Sequence, residues 1–527
     1  MKKYVFFLVF ALFCGWQELQ SQGYNYFVDI NRGNNNNTGL SWGSAYRTLE
    51  YAIAQSRGDD KILVASGVYP VPVTQNCFEI DKNLILIGGF DPATGQQSFG
   101  SSHLVGNSTN SVIIAKGAYL VLDGFTIEDG GGAYGNNYGG GVFSLCPSVK
   151  IVNSCIRNNR ANDGGGLYSL YGENILIENC IFHSNISTGR GGAIFFDGDK
   201  SDYLTVKVLS TEIIGNQARF GGGIAGRNAN KVTMDNSHIG GCIAGTNGGG
   251  IFLEEPPQGS QYVVNHATIH DNDCCGHGGG LCVENDNNNL SMGVFNTIFW
   301  DNEDIAQFTT GHSLNVAILQ NGSPMPFQSS SQPPNTLHYH YCILKNLATT
   351  ATYYGNSQTA CFDADPYFVN SIHPQGCRRP EINCSAEIKD ASPAINQAFN
   401  SPNHPYPPFP QDIYGNLRPD SHYGLSDIGC YEFQVSANTD HPVPKVLQRK
   451  ISSGNIYPNP VESGREFWVV APQGSMLSLW NMQGICVWEG SATGNTAAIP
   501  APSQSGVYVL KIQSNHQLPS AVKVVVK

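Results

Sequence analysis

The sequence predicts an all-β chain: a parallel β-helix solenoid followed by a small β-sandwich. Three observations carry this. Glycine (60 of 527 residues) and asparagine (49) are abundant, and both favour tight turns. Glycine clusters recur at near-constant spacing through the middle of the chain. Between them, apolar residues fall into registered columns. Charged residues make up 13%, about half the roughly 25% of an ordinary globular chain, which excludes a coiled coil or helical bundle. Hydrophobic residues at 41% can bury a large core, which excludes disorder. The net charge of −12 (29 − 41) repels nucleic acid and anionic lipid at long range.

Lys2 and Lys3 precede an apolar run from Tyr4 to Cys14 and a polar stretch to Ser21. This pattern predicts a secretory signal peptide over 1–21, cleaved before Gln22, because the run is too short to span a membrane. Export permits disulfides, and 14 cysteines would remain. Cys377 and Cys384 would close a short loop; the other pairings stay open.

The glycine clusters begin at Gly139, Gly164, Gly191, Gly221, Gly248 and Gly278, at spacings of 25, 27, 30, 27 and 30 residues. Before them stand Asn159, Asn185, Asn216 and Asn272, with Cys242 as the exception, and Asn302 and Gly130 extend the series. Counting back from this anchor, position ten gives Val149, Ile175, Val206, Val232, Tyr262 and Met292. Position eight gives Ile151, Ile177, Val208, Met234, Val264 and Val294, and position three gives Ile156, Phe182, Ile213, Ile239, Ile269 and Phe299. Position five is small: Ser154, Cys180, Thr211, Ser237, Ala267 and Thr297. Columns ten and eight predict one strand, columns five and three a second, and the glycine cluster opens a third. Three strands per coil, stacked at about 4.8 Å, make a parallel β-helix. The anchor asparagine is expected at a corner, in αL conformation, bonded to its neighbour above. A β-propeller would instead need antiparallel hairpins.

The asparagine-to-glycine repeat resembles polymorphic outer-membrane-protein repeats and right-handed β-helix proteins of the pectate-lyase-like kind. The opening Tyr26 to Pro70 resembles a β-helix start, which implies a capping helix over Trp42–Gln55 and a first strand over Lys61–Ala65. A cap is needed because an open end exposes strand edges and core. Asp365-Pro366, Asp390 to Asn396, Asp412 to Arg418 and Asp427 to Glu432 resemble a terminal module of bacterial β-helices. The expected division is 22–100 for the N-terminal cap and first coils, 101–433 for the β-helix with its end module, and 434–450 for a linker.

Beyond the linker, Tyr457-Pro458-Asn459-Pro460, strand patterns at Met476–Trp480 and Gly506 to Lys511, and a terminal Lys523 to Lys527 suggest a small antiparallel sandwich over 451–527. In this order they resemble the type A sorting domain of type IX secretion, with Tyr457, Pro458, Asn459, Pro460, Gly506, Tyr508, Lys511, Lys523 and Lys527 as its signal residues. The resemblance implies a right-handed parallel β-helix followed by an immunoglobulin-like sorting domain. It also implies export by the type IX machinery, removal of the tail by a sortase-like peptidase, and display on surface lipopolysaccharide of a Gram-negative bacterium or release. A monomeric, adhesin-like binder of glycans or of host or matrix proteins is the expected function; a polysaccharide lyase or glycoside hydrolase is the alternative.

For chemistry, six residues after the start of successive glycine clusters stand Asp197, Arg227, Glu254 and Glu284. Stacking would bring Glu254 and Glu284 about 5 Å apart. Such a pair raises one pKa, binds a cation, or serves a retaining glycosidase. Asp197, Asp199, Asp202, Glu284 and Asp286 would supply oxygens to Ca²⁺. The competing reading is a salt-bridge column, Asp197 to Arg227 to Glu254. Gly276-His277-Gly278 matches one polygalacturonase motif, but that family's other motifs are missing or misplaced, and His277 is simply the residue before a repeat glycine. Cys155 and Cys180 are expected in one interior ladder. Cys274-Cys275 would pair with Cys242 or Cys282 or stay buried thiols; no His/Cys set close enough for zinc stands out. Tyr353-Tyr354 and the 402–414 segment would stack on carbohydrate or pack the helix end.

Overall fold

A computed structural model describes residues 24–74, 76–131, 138–198, 203–286, 290–304, 316–320, 323–324, 336–345, 358–370, 384–399, 410–418 and 425–433. In the C-terminal part it describes 456–457, 463, 466–470, 475–481, 486–492, 496–513 and 520–526. The segments expected to be a signal peptide (1–21) and a linker (434–450), with Tyr353-Tyr354 and residues 402–409, lie outside the described residues.

The solenoid is built from three long parallel sheets. The first has twelve strands, from Asn25–Val28 to Gln358–Thr359. The second has ten, from Gly67–Pro70 to Ile343–Leu344, and the third ten, from Phe78–Ile80 to Val316–Gln320 with the antiparallel Ser323–Pro324 at its edge. The chain visits the three in turn, each coil stacking on the one before. Right-handed crossover is the rule for such parallel connections. The predicted columns are in register: Val149 pairs with Ile175, Ile175 with Val206 and Val206 with Val232 in the first sheet, and Ile156 with Phe182 in the second. These side chains are buried and form one continuous core.

Four details differ from expectation. Each middle coil has a fourth β segment, a two-residue ladder from Arg160–Ala161 to Glu303–Asp304. Two residues are too few to show alternation in a sequence. Column five is not in a strand. Ser154 turns the corner into the second sheet, its Oγ donating to Val152 O (2.7 Å) and accepting from Phe125 N (3.2 Å). Cys155, by contrast, is in the second-sheet strand and pairs with Ile181, so Cys155 and Cys180 belong to different columns. Finally, the anchor asparagines are not the αL residues. Those precede them: Asn158 (φ 56°), Ser184 (57°), Gly215 (59°) and Asp271 (53°). The anchor itself is buried. The Asn159 N–H donates to Asn185 Oδ1 (3.1 Å), and the Asn185 N–H donates to Asn216 Oδ1 (2.9 Å). Their side-chain amides donate backwards, to Ile127 O and Ile156 O.

The glycine cluster has two causes. Gly191 opens its turn at φ 62°, and a Cβ on Gly192 would lie 2.1 Å from Gly222 O on the next coil.

At the N-terminal end, Asn25–Val28 pairs with Asp60–Ala65, so the solenoid begins one strand earlier than expected. The single expected helix resolves into a 3₁₀ turn, Trp42–Ser44, and a helix, Leu49–Gln55. Tyr46 breaks it, donating its N–H to Phe27 O (2.8 Å). The helix buries Leu49, Ala52 and Ile53 against the first strands and closes the core.

The described part of the terminal module lies along the outside of the second sheet, not across the solenoid end. The Gly429 N–H donates to Asn296 O (2.8 Å), the Cys430 N–H to Thr268 Oγ1 (3.1 Å) and the Asn236 amide to Gln411 O (3.2 Å). The reason is that the outer column of this sheet turns apolar at Ile298 and Ile343, and Phe368, Ile388, Ala394, Ile428 and Tyr431 cover it.

The C-terminal part is a sandwich of two antiparallel sheets. One joins Ile456–Tyr457, Glu466–Val470 and Thr496–Pro500; the other joins Cys486–Ser491, Met476–Asn481, Gly506–Gln513 and Ser520–Val526. Val469, Ala497 and Ile499 from the first meet Leu477, Leu479, Leu510 and Val524 from the second in a common core.

Candidate functional site

The third sheet aligns Asp197, Arg227, Glu254 and Glu284 on successive coils, so the two glutamates are register neighbours. The ion pairs divide the column. Asp197 is buried and takes Arg227 through both oxygens, Nε lying 3.0 Å from Oδ1. Glu254 instead accepts from Arg190 Nε at 2.5 Å. Asp197 engages Arg227 from the preceding coil, and Glu254 is reached by an arginine that precedes a glycine cluster. The expected Asp197–Arg227–Glu254 bridge is therefore two separate pairs. The Arg190 guanidinium also lies 5.9 Å from both the Phe195 and Phe220 ring centres. Beside it, Phe143, Tyr168 and Phe195 stack on the sheet's outer side at 5.6 and 4.8 Å. Of the Ca²⁺ set, Asp199 and Asp202 lie outside the described residues.

A concave site lies elsewhere, at the corner between the first and second sheets. Corner residues in αL conformation (Asn153, Asn179, Ser210) turn their side chains outward, one per coil. The Asn153 amide donates to Asp123 Oδ1 (2.9 Å), the Asn179 amide to Asn153 Oδ1, and Gln97 Nε2 to Asp123 Oδ1 (3.3 Å). The result is a ladder of amides at the coil spacing, ending on the Asp123 carboxylate. Gln97–Phe99 and the turn Pro410–Gly415 wall it in, and Lys150 and Glu178 add charges of both signs, giving a groove of about 1010 Å³. It runs across the four coils of Asp123, Asn153, Asn179 and Ser210, roughly 14 Å at the inter-strand spacing.

The wall at 410–415 is held by Asp412. Its Oδ1 accepts from Tyr414 N (2.9 Å) and Asn416 N (2.7 Å), and its Oδ2 from Glu432 N (3.0 Å). Burial pushes this carboxyl up from its usual range, while Arg418 and these hydrogen bonds work against the rise. Sequence reading missed the groove because its walls come from segments far apart in the chain. The available signal was the Asn, Ser and His column six residues before the anchor, next to columns already counted.

In the sandwich, Tyr508 is buried and donates to Gln504 O (2.7 Å), Gly506 pairs with Val526, and Lys511 is exposed. Tyr457 pairs with Trp468 and Lys523 with Val509. Pro458, Asn459, Pro460 and Lys527 lie outside the described residues. Cys242, Cys274, Cys275 and Cys282 are thiols, so of the two expectations for Cys274-Cys275 the thiol one holds, with Cys274 buried and Cys275 exposed. Cys384 is a thiol as well, and Cys377 lies outside the described residues. His277 Nδ1 is 3.5 Å from Asp304 Oδ2, a local contact within the repeat.

Fold and groove together define a β-helix protein with an open polar channel along its flank. No protein-family profile matches the chain. No curated protein matches it either. Among solved structures, the pectate lyase Pel9A is similar, with a TM-score of 0.37 and 14% identity over 78% of this chain and 96% of that one. Its activity is a property of that protein.

Proposed function

We propose that this chain is a secreted or surface-displayed β-helix protein that binds an extended extracellular glycan in the groove at the corner of its first and second sheets. The observation that carries the reading is the ladder Asp123, Asn153, Asn179 on successive coils. Amides repeated at about 4.8 Å beside the Asp123 carboxylate offer hydrogen bonds to the hydroxyls of an extended polymer. The tail, with its resemblance to a type IX sorting domain, supplies the route to the surface, and the adhesin-like role follows from the groove's open polar character. A glycan array probed with residues 22–450 tests this. Binding to at least one polysaccharide is expected, falling about tenfold or more in the Lys150→Ala/Asn179→Ala double variant and persisting in Glu254→Gln. Array silence, or hits indifferent to the double variant, would remove the groove proposal.

A second reading rests on Glu254 and Glu284 as register neighbours beside Arg190. It makes the third sheet the site of a lyase or hydrolase. Reducing-end and unsaturated-product assays on the same polysaccharides decide it: product formation lost in both Glu254→Gln and Glu284→Gln favours catalysis there.

A further inference from the structure

The second sheet presents two histidines outward on consecutive coils, His238 in the strand His238–Gly240 and His270 in Thr268–His270. Register pairs Gly240 with His270, so the rings lie diagonally across the ladder and stack at 4.9 Å and 10°. Cys384, at the start of the described terminal module, reaches the same point. The ligand atoms of the three lie within 4.8 Å of one another, and all three residues are buried. Gly240 makes the room: a Cβ there would lie 2.7 Å from Cys384 Sγ and 2.8 Å from His238 Nε2. We infer that His238, His270 and Cys384 form a metal site, suited to Zn²⁺, that fastens the terminal module to the flank of the solenoid.

The surroundings support metal ligation. His270 Nδ1 lies 3.0 Å from Asp271 Oδ2, so the carboxylate takes the Nδ1–H and leaves the Nε2 lone pair facing the cluster. A carboxylate behind the imidazole is the usual support of a metal-bound histidine. Phe368 stacks on His270 at 4.3 Å and holds the ring in place. The two Nε2 atoms are 2.9 Å apart. Without a metal, one proton must lie between them, and the Asp271 contact assigns it to His238 Nε2. His238 Nδ1 is then an acceptor that is buried and has no partner among the described residues.

Two imidazoles and one thiol are borderline-to-soft ligands, matched to zinc. A water, or Glu212 (the register partner of His238 on the preceding coil), would complete a tetrahedron. The balance is one proton. Cys384 binds as thiolate and releases its proton to solvent, and the His238 proton moves from Nε2 to Nδ1.

The test uses the whole mature chain, stripped with chelator under reducing conditions and titrated with Zn²⁺ and then Co²⁺. One equivalent of metal, a tetrahedral Co²⁺ spectrum with a thiolate charge-transfer band, and a raised Tm on Zn²⁺ addition are expected. Cys384→Ser should abolish the thiolate band, and both it and His270→Gln should weaken binding by more than about 100-fold. Cys430→Ser, a buried thiol of the same module outside the cluster, should bind as the wild type does. If the variants do not fold, zinc X-ray absorption on the wild type carries the test, with one sulfur and two imidazole nitrogens expected. A sulfur-free shell, a Co²⁺ spectrum indifferent to Cys384→Ser, or a Cys377–Cys384 disulfide in the native protein would overturn the inference.

Discussion

Asn185 accepts the Asn159 N–H through Oδ1 and returns its amide to Ile156 O, joining the coil before to its own through one side chain. Asn185→Ala leaves the Asn159 N–H without its acceptor and removes one donor to Ile156 O. At about 1–3 kcal/mol for the unsatisfied group and about 1 kcal/mol for the lost hydrogen bond, a loss of about 2–4 kcal/mol is expected, measured by chemical denaturation. Gly192→Ala should be at least as harmful, since the atoms it meets are backbone: Gly222 O at 2.1 Å and Gln217 N at 2.7 Å. Asp235 offers a test by pH. Burial raises its carboxyl from 3.8 to about 7, opposed by hydrogen bonds from the Asn265 amide at 3.1 and 3.2 Å. The native state then holds a proton that the unfolded chain gives up above pH 4. This group's contribution is full below pH 4, declines as pH rises to about 7 and is constant above that. Asp235→Asn should narrow the stability difference between pH 5 and pH 8; an unchanged difference would contradict the assignment.

Among the elements, the terminal module depends on Arg418. This fully buried guanidinium donates to Gly429 O (2.9 Å) and Asn236 Oδ1 (3.3 Å), and its Nε lies 4.0 Å from the equally buried Glu432. Arg418→Ala takes the guanidinium away from that buried carboxylate together with its two hydrogen bonds, at a cost of about 3–5 kcal/mol. Hydrogen exchange should show residues 384–433 opening before the solenoid strands, and uniform loss across both would contradict this. The elements also show what a sequence exposes. The coils were legible because Val149, Ile151 and Ile156 repeat in columns, and a stacked fold needs like residues above like. The two-residue ladder was not, because Arg160–Ala161 cannot display a period. The anchor's conformation was misplaced by one residue, since Asn158 and Asn159 are chemically identical and only packing decides which points inward. The flank position of 410–418 and 425–433, the groove they border and the His238–His270–Cys384 cluster depend on contacts between distant segments, which no local pattern carries.

Over the whole molecule, the design is a one-dimensional stack in which each coil touches its neighbours, so a surface built at one corner is extended by repetition. The low charge of the sequence fits that stacking, because a repeated charge would repel itself. Part of the charge that enters the described stack is paired across coils, as in Asp197 with Arg227 and Arg190 with Glu254. The proposed surface destination adds its own prediction: deletion of 451–527 should trap the protein in the periplasm, and continued surface display would refute the sorting role. Hydrogen–deuterium exchange with and without the strongest polysaccharide from the array tests glycan binding in the groove most directly. Protection is predicted at 150–153, 176–179 and 410–415 with the third-sheet segment 251–254 unchanged. Protection confined to 251–254 and 281–284, with the corner segments unaffected, would contradict it.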